Sequence, residues 1–154
     1  MSSAYVASPY GFSVATRDFS TLLLDAVRAV GIEPLDPWAG APPFASARSL
    51  PPGPERVDAF RAINAAIAER NLDLIRAADA LLAVLDGTDV DSGVAAEIGY
   101  AAALGRPVVG LRLDVRRTGD NEGAVVNLQV EHLLAAPVAT TLDAAIAALR
   151  SALA

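Results

Sequence analysis

Residues 80–100 read ALLAVLDGTDVDSGVAAEIGY, and this stretch decides the fold. Its first six residues form a continuous apolar run between two aspartates, a pattern typical of a central parallel strand that is covered on both faces. The pattern then predicts a helix over residues 92–104, with Asp91 or Ser92 as its N-cap. A buried strand followed directly by a helix is the repeating unit of α/β proteins.

The same alternation continues outward along the chain. We predict further strands at residues 4–8, 32–35, 107–111 and 136–139, and further helices at residues 16–30, 58–77, 124–134 and 141–153. This order predicts one α/β domain over residues 1–154, in which a doubly wound, five-stranded parallel sheet has the strand order 2-1-3-4-5 and helices on both faces.

Two features of the predicted elements leave alternatives open. Residues 38–57 form a long loop rich in proline, glycine and alanine, and its Trp38 and Phe44 either wall a ligand or pin the loop to the body. Asn71 falls on the apolar stripe of the longest helix. Because a buried amide needs partners, Asn71 either satisfies loop backbone or reaches into a site.

Composition excludes several classes of function. The chain of 154 residues is 53% hydrophobic and 19% charged, which argues against disorder, and its net charge of −6 argues against nucleic-acid binding. It has no cysteine and one histidine, His132, which we take as structural, so we expect no metal site of thiolates or several histidines. Without a basic leader or a run of about 18 apolar residues, we expect a cytoplasmic protein that does not bind membranes.

Acidic side chains gather where the sheet predicts a ligand. In doubly wound sheets, ligands bind outside the carboxyl ends of the strands at the switch point, which here means residues 8–12 and 86–93. The segment after the central strand carries four carboxylates, which are Asp86, Asp89, Asp91 and Glu97. The sequence therefore predicts an acidic ligand site at this edge.

Spacing suggests how two of these carboxylates act together. Glu97 lies in the second turn of its helix, and Gly93 lies one turn before it. Because helical side chains lean toward the N-terminus, the glycine leaves open space in front of Glu97. Asp91 can project toward the same opening. Two carboxylates that face one cavity suit displacement at a sugar carbon, one as the nucleophile and the other handling the leaving group's proton.

Simpler interpretations of the acidic segment stay open. Asp91 could serve only as a helix cap, Glu97 could be a solvated surface residue, and the cluster could hold a weak Mg²⁺ site. A calcium loop does not fit, because Thr88 and Val90 stand where such a loop has Asp or Asn, and Asp91 stands where it needs glycine. Neither of the glycine-rich phosphate-binding motifs occurs.

Four segments of the chain resemble the nucleoside 2-deoxyribosyltransferase family. They are Tyr5-Val6-Ala7-x-Pro9, Glu69-Arg70-Asn71, Asp91-Ser92-Gly93-x-x-x-Glu97-x-Gly99-Tyr100-Ala101, and Val126-Asn127-Leu128. The third is the most specific. The resemblance implies a flavodoxin-like fold, double displacement without a cofactor, nucleosides and nucleobases as substrates, and a homo-oligomer whose subunits share active sites.

The resemblance also implies roles for individual residues. Glu97 would attack the anomeric carbon of a 2′-deoxynucleoside, Asp91 would handle the base proton, and Tyr5 would position Glu97. Asn71 would contact the nucleobase, and Asn127 would reach the sugar 5′-hydroxyl in a neighbouring subunit. The substrate-binding set is completed by Pro9, Asp86, Ser92 and Gly93. Base preference is expected in the loop after the second strand.

Two other functions remain as alternatives. A nucleoside or nucleotide N-glycosidase would transfer the sugar to water, and a phosphate-accepting version would use Ser8, Gly11 and Arg112. A non-catalytic nucleotide-binding module would bind without turnover. The simplest interpretation of the three arginines at 112, 116 and 117 is a solvated loop.

Overall fold

The computed structural model describes residues 1–40 and 44–154. Its parallel strands are β1 (Ser3–Ala7), β2 (Glu33–Leu35), β3 (Ala80–Val84) and β4 (Val108–Leu111). Its α-helices are α1 (Arg17–Ala29), α2 (Ala45–Ser49), α3 (Pro54–Ala77), α4 (Ser92–Ala103), α5 (Leu128–His132) and α6 (Leu142–Ala152). Two short 3₁₀ turns, Pro9–Phe12 and Val14–Thr16, join β1 to α1. The sheet order is β2-β1-β3-β4, which places the predicted switch point between β1 and β3.

The predicted fifth strand is wrong, and the sheet has four strands over the described residues. Of residues 136–139, only Ala139 pairs with the sheet, in a single parallel bridge to Leu111. The amide of Ala139 donates to the carbonyl of Gly110 at 2.9 Å. Pro137 has no amide proton and cannot continue such a ladder, so the pairing does not extend into a strand.

Both faces of the sheet are buried, as the apolar run of β3 predicts. On one face, Leu82 and Val84 pack in a cluster with α1 and α6. On the other face, Leu81 and Ala83 pack in a cluster with α3, α4 and α5. Tyr5 of β1 is fully buried on this second face. Alternation along β1 therefore directs its hydroxyl toward the helices that follow β2 and β3.

Helix ends differ from the predicted ones for local reasons. The longest helix begins at Pro54 rather than residue 58, because proline is well suited to the first helical position. The helix predicted over 124–134 is confined to α5, since Asn127 caps it by accepting from the amide of Gln129 at 3.0 Å. Thr141 caps α6 as predicted, accepting from Ala144 at 3.2 Å.

The predicted loop 38–57 is only partly a loop. It contains the short helix α2 and the start of α3, which the proline and alanine content did not indicate. Residues 41–43 of this prediction lie outside the described residues. At the other side of the same connection, Pro34 sits in the middle of the edge strand β2, in register with Ala4 of β1.

Arg112 does not lie in a solvated loop, and that prediction is wrong. Only 2% of the residue is exposed. Its guanidinium donates to main-chain carbonyls of Leu85, of Gly87 at 3.0 Å and of Arg116 at 2.7 Å. A buried charge needs such partners, and this one ties β4 to the loop that follows β3.

None of the described helices is both long enough and apolar enough to pass through a lipid bilayer.

Candidate active site

A cavity of about 320 Å³ opens at the carboxyl ends of β1 and β3. Its apolar wall carries three aromatic rings, those of Phe12, Trp38 and Phe44. Asp91 and Glu97 both lie in the wall as well. The structure thus brings together the two carboxylates that sequence spacing selects, in one hollow large enough for a small organic molecule.

Hydrogen bonds hold Glu97 on one oxygen. The Tyr5 hydroxyl donates to Glu97 Oε1 at 2.6 Å, and the Asn71 amide donates to the same atom at 3.5 Å. Within the described residues, no donor is bonded to Oε2. The carboxylate is therefore oriented through one oxygen while the other is available to a ligand.

Asn71 resolves one of the alternatives left by the sequence. The side chain lines the cavity instead of satisfying loop backbone. Its Oδ1 is buried and has no hydrogen-bond partner among the described residues. An unpaired buried carbonyl oxygen is unfavourable, and among the described residues of the cavity wall this is the one buried side-chain polar atom without a partner.

Opposing effects act on the charge of Glu97. Burial raises the pKa of the Glu97 carboxyl, and the neighbouring Asp91 charge raises it further. The hydrogen bonds from Tyr5 and Asn71 oppose this rise. Burial, and then the charge of Glu97, raise the pKa of Tyr5 far above its ordinary value, so its hydroxyl stays a neutral donor.

The carboxylate of Asp91 is divided between a helix cap and the cavity wall. Its Oδ1 caps α4 by accepting from the amides of Gly93 at 2.9 Å and Val94 at 3.1 Å. No described residue donates to Oδ2, and the residue lines the cavity. A Cβ on Gly93 would lie 3.0 Å from Asp91 Oδ1. Glycine at position 93 therefore allows the Asp91 carboxylate to lie close to the backbone of the first turn of α4.

A family comparison adds to this geometry. The model of a family described as nucleoside 2-deoxyribosyltransferase matches residues 4–129. The chain belongs to the nucleoside 2-deoxyribosyltransferase family. The match includes both cavity carboxylates, Tyr5 and Asn71. Curated protein sequences gave no match to the chain.

Solved structures share the fold of this family member. A conserved protein from Enterococcus faecalis V583 is 25% identical, with coverage of 98% of both chains and a TM-score of 0.73. A 2-desoxiribosyltransferase from Leishmania mexicana is 24% identical, covering 96% of this chain and 95% of that one, with a TM-score of 0.68. A 2-deoxyribosyltransferase from Bacillus psychrosaccharolyticus is 21% identical over 86% and 82% of the two chains, with a TM-score of 0.64. The flavodoxin-like α/β arrangement of this transferase family is thereby supported.

Four predicted substrate-binding residues lie outside the cavity wall, namely Pro9, Asp86, Ser92 and Asn127. Asp86 accepts hydrogen bonds from the Tyr10 hydroxyl at 2.5 Å and from the amide of Leu113 at 2.6 Å, so it fastens the loop after β4. Ser92 is exposed at the start of α4, and Pro9 begins a 3₁₀ turn. Asn127 caps α5 in its own chain.

The cavity also contains residues that the sequence analysis did not select. Asn64 lies seven residues before Asn71, about two helical turns away on the same face of α3. That spacing was a readable signal for a second amide in the wall. Ser8 was considered only for a phosphate-accepting enzyme, and here its Oγ accepts from the amide of Tyr10 at 3.1 Å. Phe12, like Ser8, lies in the segment 8–12 where the switch point predicts a ligand, whereas Pro37 gave no signal in the sequence.

Proposed function

We propose that this family member moves 2-deoxyribose between nucleobases through a covalent ester on Glu97. The observation that carries the proposal is the placement of Glu97 and Asp91 in one cavity, with Glu97 held on a single oxygen by Tyr5 at 2.6 Å. A fixed nucleophile beside a second carboxyl group is the arrangement that double displacement at a sugar carbon requires.

In the first half of the reaction, Glu97 Oε2 attacks C1′ of a bound deoxynucleoside. The new bond joins this oxygen to C1′, and the bond between C1′ and the base nitrogen breaks with its electron pair leaving on the base. Asp91 takes up a proton from solvent and gives it to the departing base through Oδ2, which the helix cap leaves unused. General acid catalysis of this kind contributes typically 10²–10⁴-fold.

In the second half, another base displaces Glu97 from C1′. The nitrogen of the incoming base forms the new bond, and the ester oxygen departs as a carboxylate. Asp91 takes the proton that the incoming base loses and returns it to solvent, so the Asp91 carboxylate is restored at the end of the cycle. Tyr5 donates to Oε1 throughout, in both carboxylate and ester.

Charge in the cavity favours nucleosides over nucleotides. The described wall has two carboxylates and contains no arginine or histidine, and the chain has no lysine. A phosphate dianion would meet like charges without a cationic partner. Arg112, considered above as a phosphate ligand, is committed to main-chain carbonyls. The nucleotide-cleaving alternative therefore has less support than the nucleoside enzyme.

The proposal includes a homo-oligomer with shared active sites and a cytoplasmic role in nucleoside salvage. Its support is the family membership, together with the position of Asn127 outside the cavity of its own chain. Mixing Glu97→Ala and Asn127→Ala proteins tests this directly. If Asn127 serves a neighbouring site, mixed assemblies recover part of the activity that each variant lacks. Absence of recovery in assemblies shown to be mixed counts against sharing.

Product analysis tests the reaction itself. Incubation with deoxyinosine and free adenine is expected to give deoxyadenosine and hypoxanthine. A sample quenched with acid in the absence of adenine should show protein heavier by one deoxyribosyl group, located on Glu97. Free deoxyribose formed at the same rate with or without adenine would instead indicate the hydrolase.

Two glutamate variants make the assignment specific. Glu97→Ala should lose both deoxyadenosine formation and the covalent adduct. Glu55→Ala is the matched control, because Glu55 is exposed in the first turn of α3 and lies outside the cavity wall. Equal activity of the two variants would remove Glu97 from the role of nucleophile.

A further inference from the structure

Trp38 forms part of the cavity wall, and several contacts fix it there. It is the only tryptophan of the chain. Its indole N–H donates to the carbonyl of Ser8 at 3.0 Å, and its main-chain amide donates to Asp36 Oδ1 at 2.9 Å. The ring is thus tied both to the end of β1 and to its own segment.

The indole also packs against the turn that follows β1. A Cβ added to Gly11 would lie 2.0 Å from the Trp38 ring, so only glycine allows the ring to sit where it does. The Phe12 ring meets the indole edge to face, with centroids 4.6 Å apart and planes at 85°. These contacts restrict the position of the indole ring as long as the backbone of Trp38 is itself held in place.

Arg70 holds that backbone. From α3, its guanidinium donates to the carbonyl of Pro37 at 2.9 Å and to the carbonyl of Ala39, the residues on either side of Trp38. The planar fork of an arginine can bridge two acceptors at once, whereas a lysine offers a single point charge. Arg70 itself is not among the cavity-lining residues.

We propose that Arg70 is a positioning residue that fixes Trp38 as a preformed wall for the nucleobase. An aromatic face that is already in place binds a planar base without first having to order a flexible segment. The part concerning the nucleobase rests on the proposed function, while the positioning of Trp38 does not. Arg70 thereby affects the affinity for the base without touching it.

Fluorescence without any substrate tests the positioning step. Since Trp38 is the only tryptophan, the emission reports on this side chain alone. Arg70→Met should give red-shifted emission and stronger quenching by acrylamide, and Arg70→Lys should be intermediate. Arg61→Met is the matched control, because Arg61 is an exposed arginine of the same helix that pairs with Asp58 at 3.0 Å. Unchanged emission in Arg70→Met would overturn the proposal whatever the activity.

Kinetics then test the consequence for the base. In Arg70→Met we expect the KM for the acceptor base to rise roughly 5- to 150-fold, the range typical of losing one aromatic stacking contact. We expect kcat to change by no more than about twofold, since the reacting groups are untouched. An altered emission with an unchanged KM would overturn the assignment of this wall to the nucleobase.

Two further results separate the remaining explanations. A loss confined to kcat would overturn the proposal and assign Arg70 to the electrostatics of Tyr5, whose pKa the arginine charge lowers.

Gly11→Ala displaces the indole while leaving Arg70 intact, and it should reproduce both the emission change and the rise in KM. If the wild-type protein transfers no sugar, the proposed function fails, yet the fluorescence comparison still decides whether Arg70 positions Trp38.

Discussion

Removing one hydroxyl group at Tyr5 is the sharpest test of how the cavity controls Glu97. The Tyr5→Phe change keeps the buried ring and deletes the donor that lies 2.6 Å from Glu97 Oε1. What remains on that oxygen is the Asn71 amide at 3.5 Å. Because the lost hydrogen bond favours the ionised form, its removal raises the pKa of Glu97 further above the ordinary value, in the same direction as burial.

The size of the effect follows from the type of bond. A hydrogen bond to a charged group contributes about 1.5–3 kcal/mol. At 1.36 kcal/mol for each factor of ten, its loss corresponds to about a 10- to 150-fold fall in kcat/KM where ionisation of Glu97 limits the rate. At pH values above the new pKa, Glu97 is ionised even without the Tyr5 hydroxyl. The fall in kcat/KM is therefore smaller there and reflects only the lost orientation of the carboxylate.

The assay is kcat/KM for base exchange measured across pH. We expect the acid limb of the profile to move to higher pH in Tyr5→Phe. Tyr10→Phe is the matched control, because it deletes a hydroxyl that donates to Asp86 at 2.5 Å, outside the cavity wall. An acid limb that stays in place in Tyr5→Phe, or that moves equally in both variants, would refute the reasoning.

Three further predictions concern single side chains. Asp91→Asn should slow poor leaving groups more than activated ones, because only the former need a proton, while asparagine preserves the helix cap; equal losses on both substrates would remove the acid role. Glu97→Gln should raise the melting temperature at pH 7. A carboxyl whose pKa is raised by folding stabilises the protein below its unfolded pKa, and this contribution is lost as pH rises through the folded value. The difference from wild type should therefore shrink as pH falls toward about 4.3, and a gap that widens instead would contradict the sign of the shift. Arg112→Met should lower the free energy of unfolding by about 3 kcal/mol or more, because buried carbonyls of Leu85 and Gly87 lose their donor; a urea titration with an unchanged midpoint would contradict this.

Strands were predictable where burial on both faces leaves a continuous run of apolar residues in the sequence. The apolar run of β3 is continuous because both of its faces are covered, and the structure confirms it. The same reasoning predicted a strand at residues 136–139 that does not form. Apolar residues surround Pro137 there, and only Ala139 pairs with the sheet. An apolar run reports burial, and it does not report whether backbone amides are free to pair.

The site was predictable to the extent that its geometry is local. Asp91 is the N-cap of α4, and Gly93 and Glu97 lie in its first two turns, so their spacing alone brings them to the same opening. The wall around Trp38 depends instead on Arg70, more than thirty residues away along the chain. No local pattern encodes such a contact.

For Arg112, the residues near it in the sequence led to a wrong prediction. A charged residue beside other charged residues favours a solvated loop. The structure instead buries Arg112 and satisfies it with carbonyl groups. Carbonyl acceptors are present at every residue, so the sequence carries no mark of where they converge.

The proline in β2 restricts how copies of this chain can assemble. The amide of Glu33 faces β1 and donates to Ser2 at 2.9 Å, so position 34 is the one that faces away from the sheet. Pro34 has no amide proton, so a strand from another subunit that paired with this edge would lack one backbone hydrogen bond there. Two sheets joined edge to edge at β2 are therefore disfavoured, and contacts between subunits at this side must come from helices and turns.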